Sequence, residues 1–110
     1  MVTREDFFRL IPAPKTEEVE VKGVGTFRVR MLSAGERDAF EAEAIKASVP
    51  NGRARLLAAT VVDSDDKPLF RVEDVPSIAG KSAKHLEPLV NAAMRLNAIT
   101  DRDFEELEKN

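Results

Sequence analysis

Apolar and polar positions change their period along this chain. From Glu18 to Lys22, and again from Thr26 to Met31, they alternate. Val19 and Val21 fall on one side of the first run, and Phe27, Val29 and Met31 on one side of the second. A period of two predicts two half-buried strands. Gly23-Val24-Gly25 between them predicts a tight turn, because glycine accepts backbone angles closed to other residues. The outer face of this hairpin carries Glu18, Glu20, Lys22, Arg28 and Arg30. Two strands alone are marginal in water, so the hairpin is expected to lie on helices.

After Leu32 the period becomes helical. Ser33-Ala34-Gly35-Glu36 is a capping box, in which the serine and glutamate side chains satisfy free amides at a helix start. The helix it opens is predicted to run to about Ser48, with Phe40, Ala44 and Ala47 on one stripe and Ile45 beside it. Pro50-Asn51-Gly52 breaks the chain. Arg53 to about Val62 predicts a second helix. Leu56, Ala59 and Thr60 share one face, Leu57 and Val61 the adjoining one, and the β-branched end favours a short extended piece. Asp63 to Pro68 has the composition of a loop, after which Leu69 and Phe70 are expected to return to the core. Glu73-Asp74-Val75 predicts a short helical turn. Ser82 is the expected cap of a helix bearing Leu86, Leu89, Val90, Ala93 and Leu96. Pro88 inside it predicts a kink or a later start, and Asn97 a left-handed stop. Thr100, with Asp103 behind it, opens a last helix carrying Phe104 and Leu107.

The first residues form a separate case. Thr3 with Asp6 caps a short helix that contains Phe7, Phe8, Leu10 and Ile11, and Pro12-Ala13-Pro14 ends it. Two readings are open: Phe7 and Ile11 pack on the core, or the segment is an apolar arm that docks on a partner or a neighbouring copy. The whole chain, 1–110, reads as one domain, with an arm and proline linker over 1–14, a hairpin over 17–31 and a helical part over 33–108. The expected fold is mainly α with a small N-terminal β-hairpin, an α+β arrangement of several short helices around one core.

Composition narrows the function classes. A chain of 110 residues, 43% hydrophobic, is too apolar for disorder and long enough to bury one core without metal or disulfide help. The absence of cysteine excludes disulfides and thiolate metal sites, and is compatible with a reducing compartment. No apolar run approaches the ~20 residues that span a bilayer. Acids fall early in Met1-Val2-Thr3-Arg4-Glu5-Asp6, so no signal peptide is expected. A net charge of -3 runs against the basic balance usual for proteins that hold nucleic acid phosphates.

Candidate chemistry is sparse. His85, the one histidine, has no obvious local partner, and no Gly-x-Ser-x-Gly occurs. Gly23 and Gly25 lack the third glycine and the following helix of a dinucleotide loop. Asp63, Asp65 and Asp74 fall at positions one, three and twelve of a calcium loop, but Lys67 and Pro68 stand where an oxygen ligand and a glycine are needed. The expectation is therefore no catalytic residue, no metal, no cofactor and no enzyme activity. Arg28, Arg30 and Arg37 could form a positive patch, which leaves a small regulatory or nucleic-acid-binding adaptor as the alternative. Glu18, Glu20, Glu36 and Asp38 in the same neighbourhood, and the absence of Trp and Tyr for base stacking, favour a protein-binding face instead.

Three stretches carry a resemblance. Phe27-Arg28-Val29-Arg30-Met31-Leu32-Ser33-Ala34-Gly35-Glu36-Arg37-Asp38 resembles the early segment of tail assembly chaperones from long-tailed, siphovirus-type bacteriophages and prophages. Val62 to Phe70 followed by Glu73-Asp74-Val75, and then Ala93 to Thr100, agree with the same family. The likeness runs from about Val19 to the C-terminus and omits the arm before Lys15. It implies a non-catalytic protein of the bacterial host cytoplasm, absent from the mature virion, that binds the long helical tape measure protein and keeps it soluble. It also implies self-association and, in a longer form made by ribosomal frameshifting, contact with the tail tube protein. The adenine-rich codons of Lys109 and Asn110 are a candidate slip site. No membrane and no nucleic acid partner is expected. The family supplies no residue pattern for its contacts, so the candidate partner-binding residues come from this chain alone: Phe7, Phe8 and Ile11 on the arm, Arg28 and Arg30 on the hairpin.

Overall fold

The computed structural model describes residues 1–47 and 51–103. The chain runs α1 (Arg4–Leu10), β1 (Thr16–Val21), β2 (Gly25–Arg30), α2 (Ala34–Ala47), α3 (Gly52–Thr60), β3 (Val61–Val62), a 3-10 turn (Val72–Asp74), α4 (Val75–Ala79) and α5 (Ala83–Leu96). This is the expected α+β arrangement, with one addition. The hairpin does not stand as two strands: β3 pairs with the free edge of β2, giving an antiparallel sheet in the order β1-β2-β3.

Register explains why the hairpin forms where it does. Val19 faces Phe27 and Val21 faces Gly25, so the apolar side chains share one side of the sheet. Glu18 lies directly opposite Arg28 on the other side, a favourable cross-strand pair. Gly23 sits at φ +81 and Gly25 at φ +151, angles that strain any residue with a Cβ. Helix α5 packs across the apolar side of β1 and β2, and α3 packs against α2, α4 and α5. Val29, Leu56, Leu57, Val61 and Ala93 are at the centre, fully buried.

The caps follow the sequence closely. Glu36 donates its amide to the Ser33 Oγ at 3.2 Å, and its Oε1 accepts from the Ser33 amide at 2.8 Å. The same reciprocal pair joins Thr3 and Asp6, and Thr100 and Asp103. Phe104 and Leu107, expected on the helix that Thr100 opens, lie outside the described residues, as do Ser48 and Pro50.

Three expectations are corrected, and one left with two outcomes is narrowed. Leu69 does not return to the core. Asp66 takes a left-handed turn at φ +61, which brings the chain back beside β3; the Leu69 amide then bonds the Val61 carbonyl at 3.0 Å, and its side chain points to solvent while Phe70 packs inward. Ile45, beside the α2 stripe, is exposed. For Pro88, left open between a kink and a later start, the later start is excluded: helix α5 begins at Ala83, directly after Ser82, and continues through the proline. Asn97 is not the left-handed residue: its φ is -106, and Ala98 takes φ +50 instead. The Ala98 and Ile99 amides bond the Arg95 and Met94 carbonyls at 3.4 and 2.9 Å, a Schellman stop built on alanine. The stop moves one residue because the Asn97 side chain has another task.

That task is a tie across the core. Asn97 is buried, and its Oδ1 accepts the Leu32 amide at 2.7 Å. Its Nδ2 donates to the Ala93 carbonyl at 2.9 Å and the Arg30 carbonyl at 3.3 Å. The end of α5 is thereby bonded to the segment joining β2 to α2.

Candidate protein-docking site

Helix α1 has the local chemistry of a stable helix end but no tertiary burial. Its capping box satisfies the first amides, Glu5 and Asp6 stand in its first turn, and Arg9 closes on Asp6 at 2.7 Å. The Arg9 guanidinium is the main reason the Asp6 carboxyl is held below its ordinary range, with the Thr3 amide adding to it. Yet none of its residues is buried. Phe7 leaves 52% of its surface exposed, Phe8 68% and Ile11 59%. Of the two readings open for Phe7 and Ile11, packing on the core is therefore ruled out for this chain as it stands. The phenyl rings of Phe7 and Phe8 touch edge to face, with centroids 5.2 Å apart, and the Arg4 guanidinium lies 5.1 Å above Phe8. Arg4, Phe7, Phe8 and Ile11 stand at i, i+3, i+4 and i+7, one continuous stripe.

The hairpin arginines are placed differently. Arg28 bonds Asp66 with Nε at 3.1 Å and Nη2 at 2.6 Å, and gives a further bond to Thr16 Oγ1 at 2.8 Å. Arg30 pairs with Glu36 at 2.7 Å and donates to the Ala59 carbonyl at 2.9 Å. Arg37 pairs with Glu41 at 2.8 Å and donates to the Asn97 carbonyl at 2.8 Å. The positive patch considered as the alternative is thus divided into three ion pairs, as the interleaved carboxylates suggested. Glu36 is held below its ordinary value chiefly by the Ser33 amide, with the field of Arg30 adding to it. Glu17 is lowered by its bond to Arg95, whose own value is raised in return.

A second apolar surface was not anticipated from sequence. Between β2, α4 and α5 lies an open groove of about 420 Å³. Leu57, Ile78 and Leu89 form its floor, and the half-buried Phe27, Phe70 and Leu86 its walls. Asp74 and Lys81 stand at its edge. The signal in the sequence was Leu86: it lies on the α5 stripe but one turn before the deeply buried Leu89 and Val90, and is itself only half-buried. A further hollow of about 350 Å³ lies between α2, α3 and the 3-10 turn, with Arg30, Glu36, Glu43 and Arg55 among its lining. There Arg55 approaches Glu43 at 3.5 Å.

His85 is exposed, and its Nδ1 lies 2.9 Å from the Ser82 Oγ. This contact draws the Ser82 hydroxyl away from the helix amides it was expected to cap. Asp63 Oδ1 accepts the amides of Asp65 and Lys67 at 2.8 and 3.1 Å, so the acidic loop folds around its own backbone. Among the described residues no three His, Cys, Asp or Glu side chains are grouped to hold a metal ion, and no helix is long and apolar enough to cross a membrane. No known family model, curated protein or solved structure matches this chain.

Proposed function

We propose that this chain is a non-catalytic binding protein of the tail assembly chaperone type. It covers the apolar surface of a long helical partner, the tape measure protein, and so keeps that partner soluble while a phage tail is built. The observation that carries the reading is the arm: a helix capped at its start, with three large apolar side chains on one stripe, all turned to solvent beside a core cluster that includes none of them. A stripe of that kind has the form by which amphipathic helices seat against one another. Its apolar centre and charged flanks match the anatomy of a transient protein interface. The resemblance to tail assembly chaperones is the support for naming the tape measure protein as the partner. In this reading the protein acts in the bacterial host cytoplasm and is absent from the finished virion. A frameshifted longer form would reach the tail tube protein.

The adaptor alternative loses support, since Arg28, Arg30 and Arg37 are each engaged by a carboxylate of the same fold. Co-expression tests the proposal. The tape measure protein encoded beside this chain is expected to move from the insoluble to the soluble fraction when the chain is supplied with it. A tape measure protein that remains insoluble beside abundant, folded chain would overturn it.

A further inference from the structure

Three guanidiniums and two carboxylates line the hollow between α2, α3 and the 3-10 turn, and they are unevenly matched. Arg30 is occupied: it pairs with Glu36 at 2.7 Å and donates to the Ala59 carbonyl at 2.9 Å. Arg55 is not. Its side chain keeps only 11% of its surface exposed, yet its buried Nε has no hydrogen-bond partner. Its Nη1 approaches the Glu43 Oε1 only at 3.5 Å, against about 2.7–2.9 Å for a well-made charge-assisted bond. Glu43 itself is largely open to water. Arg71, exposed on the same lining, makes no ion pair among the described residues. Taking a guanidinium out of water without engaging its donors is costly, and an aliphatic side chain at position 55 would avoid that cost. Conflicts of this kind collect at functional sites.

We infer that this hollow binds a small organic acid: one carboxylate on an apolar body. Arg55 takes the carboxylate, Arg71 adds its field, and the body lies on Leu32, Phe40 and Val75.

Each part of that description follows from the lining. Three positive groups against two negative ones leave a surplus of one, which suits a single negative charge. The planar guanidinium fork matches a carboxylate, and away from water the pairing is stronger than at the surface. A phosphate brings more charge and more oxygens than the remaining donors can meet, and the rest of the lining is mainly apolar. The volume of about 350 Å³ lies in the range of small-ligand pockets, roughly 300–1,000 Å³. An aspartate or glutamate side chain of another protein carries its carboxylate on only one or two methylenes, too little apolar body to cover Leu32, Phe40 and Val75. Glu43 is then the ligand's competitor: it half-engages Arg55 when the hollow is empty and turns to water when the acid binds. The inference does not depend on the tape measure reading, and its test needs only the pure protein.

Titration of the ¹⁵N-labelled chain with sodium octanoate up to about 10 mM, followed by NMR, provides that test. The amides of Ala39, Glu43, Ala58 and Val72 are expected to shift with a Kd below about 1 mM. Octanamide, the same body without the charge, is expected to bind at least about tenfold more weakly, and octyl phosphate also more weakly than octanoate. Arg55→Leu is expected to weaken octanoate at least about tenfold while its unfolding temperature stays level or rises, since an unengaged buried charge is removed. Arg71→Gln, at an exposed position, is expected to weaken it about threefold, and Glu43→Gln to tighten it about threefold by freeing Arg55. Octanoate that leaves those amides unmoved, octanamide or octyl phosphate that binds as tightly, binding that survives both arginine variants, or weaker binding in Glu43→Gln each overturns the inference. So does an Arg55→Leu variant that unfolds more than about 5 °C lower, which would make the guanidinium a part of the fold.

Discussion

Helices α1 and α5 are alike in sequence and opposite in fate. Each follows a Thr or Ser at its N-cap, and each carries large apolar residues at helical spacing. Helix α5 buries Leu89, Val90, Ala93 and Leu96 against the hairpin and α3, whereas α1 buries nothing. The difference is one of attachment. Helix α5 is fourteen residues long and is tied at its end by Asn97 to the segment before α2. Helix α1 is seven residues long and hangs from a linker with two prolines. Periodicity reports that a helix has an apolar side; the length and the tethers decide whether that side is covered within the same chain.

The contrast can be broken first where it is largest. Leu89→Ala in α5 is expected to cost about 2–5 kcal/mol in urea unfolding, because a buried methyl-bearing side chain leaves a cavity. A loss under ~1 kcal/mol there would show that α5 is no more integral than the arm. Next comes the tie. Asn97→Ala removes the acceptor of the Leu32 amide and leaves that amide buried, so a loss of about 1–3 kcal/mol is expected from the same measurement. The stop one residue on offers the reverse sign. Ala98 is exposed at φ +50, and Ala98→Gly is expected to raise stability by about 1 kcal/mol by removing the left-handed strain.

Acid sharpens the comparison further. The Glu36 carboxylate has a lower value in the folded chain than its ordinary 4.5. The stability it contributes is fully present above that unfolded value and is lost as the pH falls through the lower folded one. Thermal unfolding of the wild type should therefore shift downward on acidification below about 4.5. The Glu36→Gln variant should show a smaller shift, and an unchanged slope would remove the Ser33–Arg30 account of this residue. The smallest effect belongs to the arm. Phe8→Ser should alter unfolding by no more than about 0.5 kcal/mol, as expected for an exposed position. A larger loss would place Phe8 in the core of the monomer and end the contrast with α5.

The caps were legible in the chain because each is local: Ser33 with Glu36, Thr3 with Asp6 and Thr100 with Asp103 need only residues three apart. The hairpin was legible for the same reason, from its alternation and its glycines. What sequence order hid is long-range. Two valines at the end of α3 become a third strand only because β2 has a free edge to offer. Asn97, four residues after Ala93 on the α5 stripe, was a polar residue in an apolar row; its partners, Leu32 and Arg30, lie more than sixty positions away. The arginines were legible as a cluster but not as three separate pairs, since Asp66 reaches Arg28 only after the loop has turned. Leu69 was misplaced because its composition, without the turn at Asp66, gives no direction.

The claim beneath the proposed function is that Phe7, Phe8 and Ile11 stay outside the core in order to meet another chain. A photo-crosslinking p-benzoylphenylalanine in place of Phe8, irradiated in cells that make the tape measure protein, tests it most directly. The account predicts a covalent adduct with the tape measure protein that is absent when the probe replaces the outward-facing Leu69. A stable complex of the two proteins that yields no adduct from position 8 would contradict it.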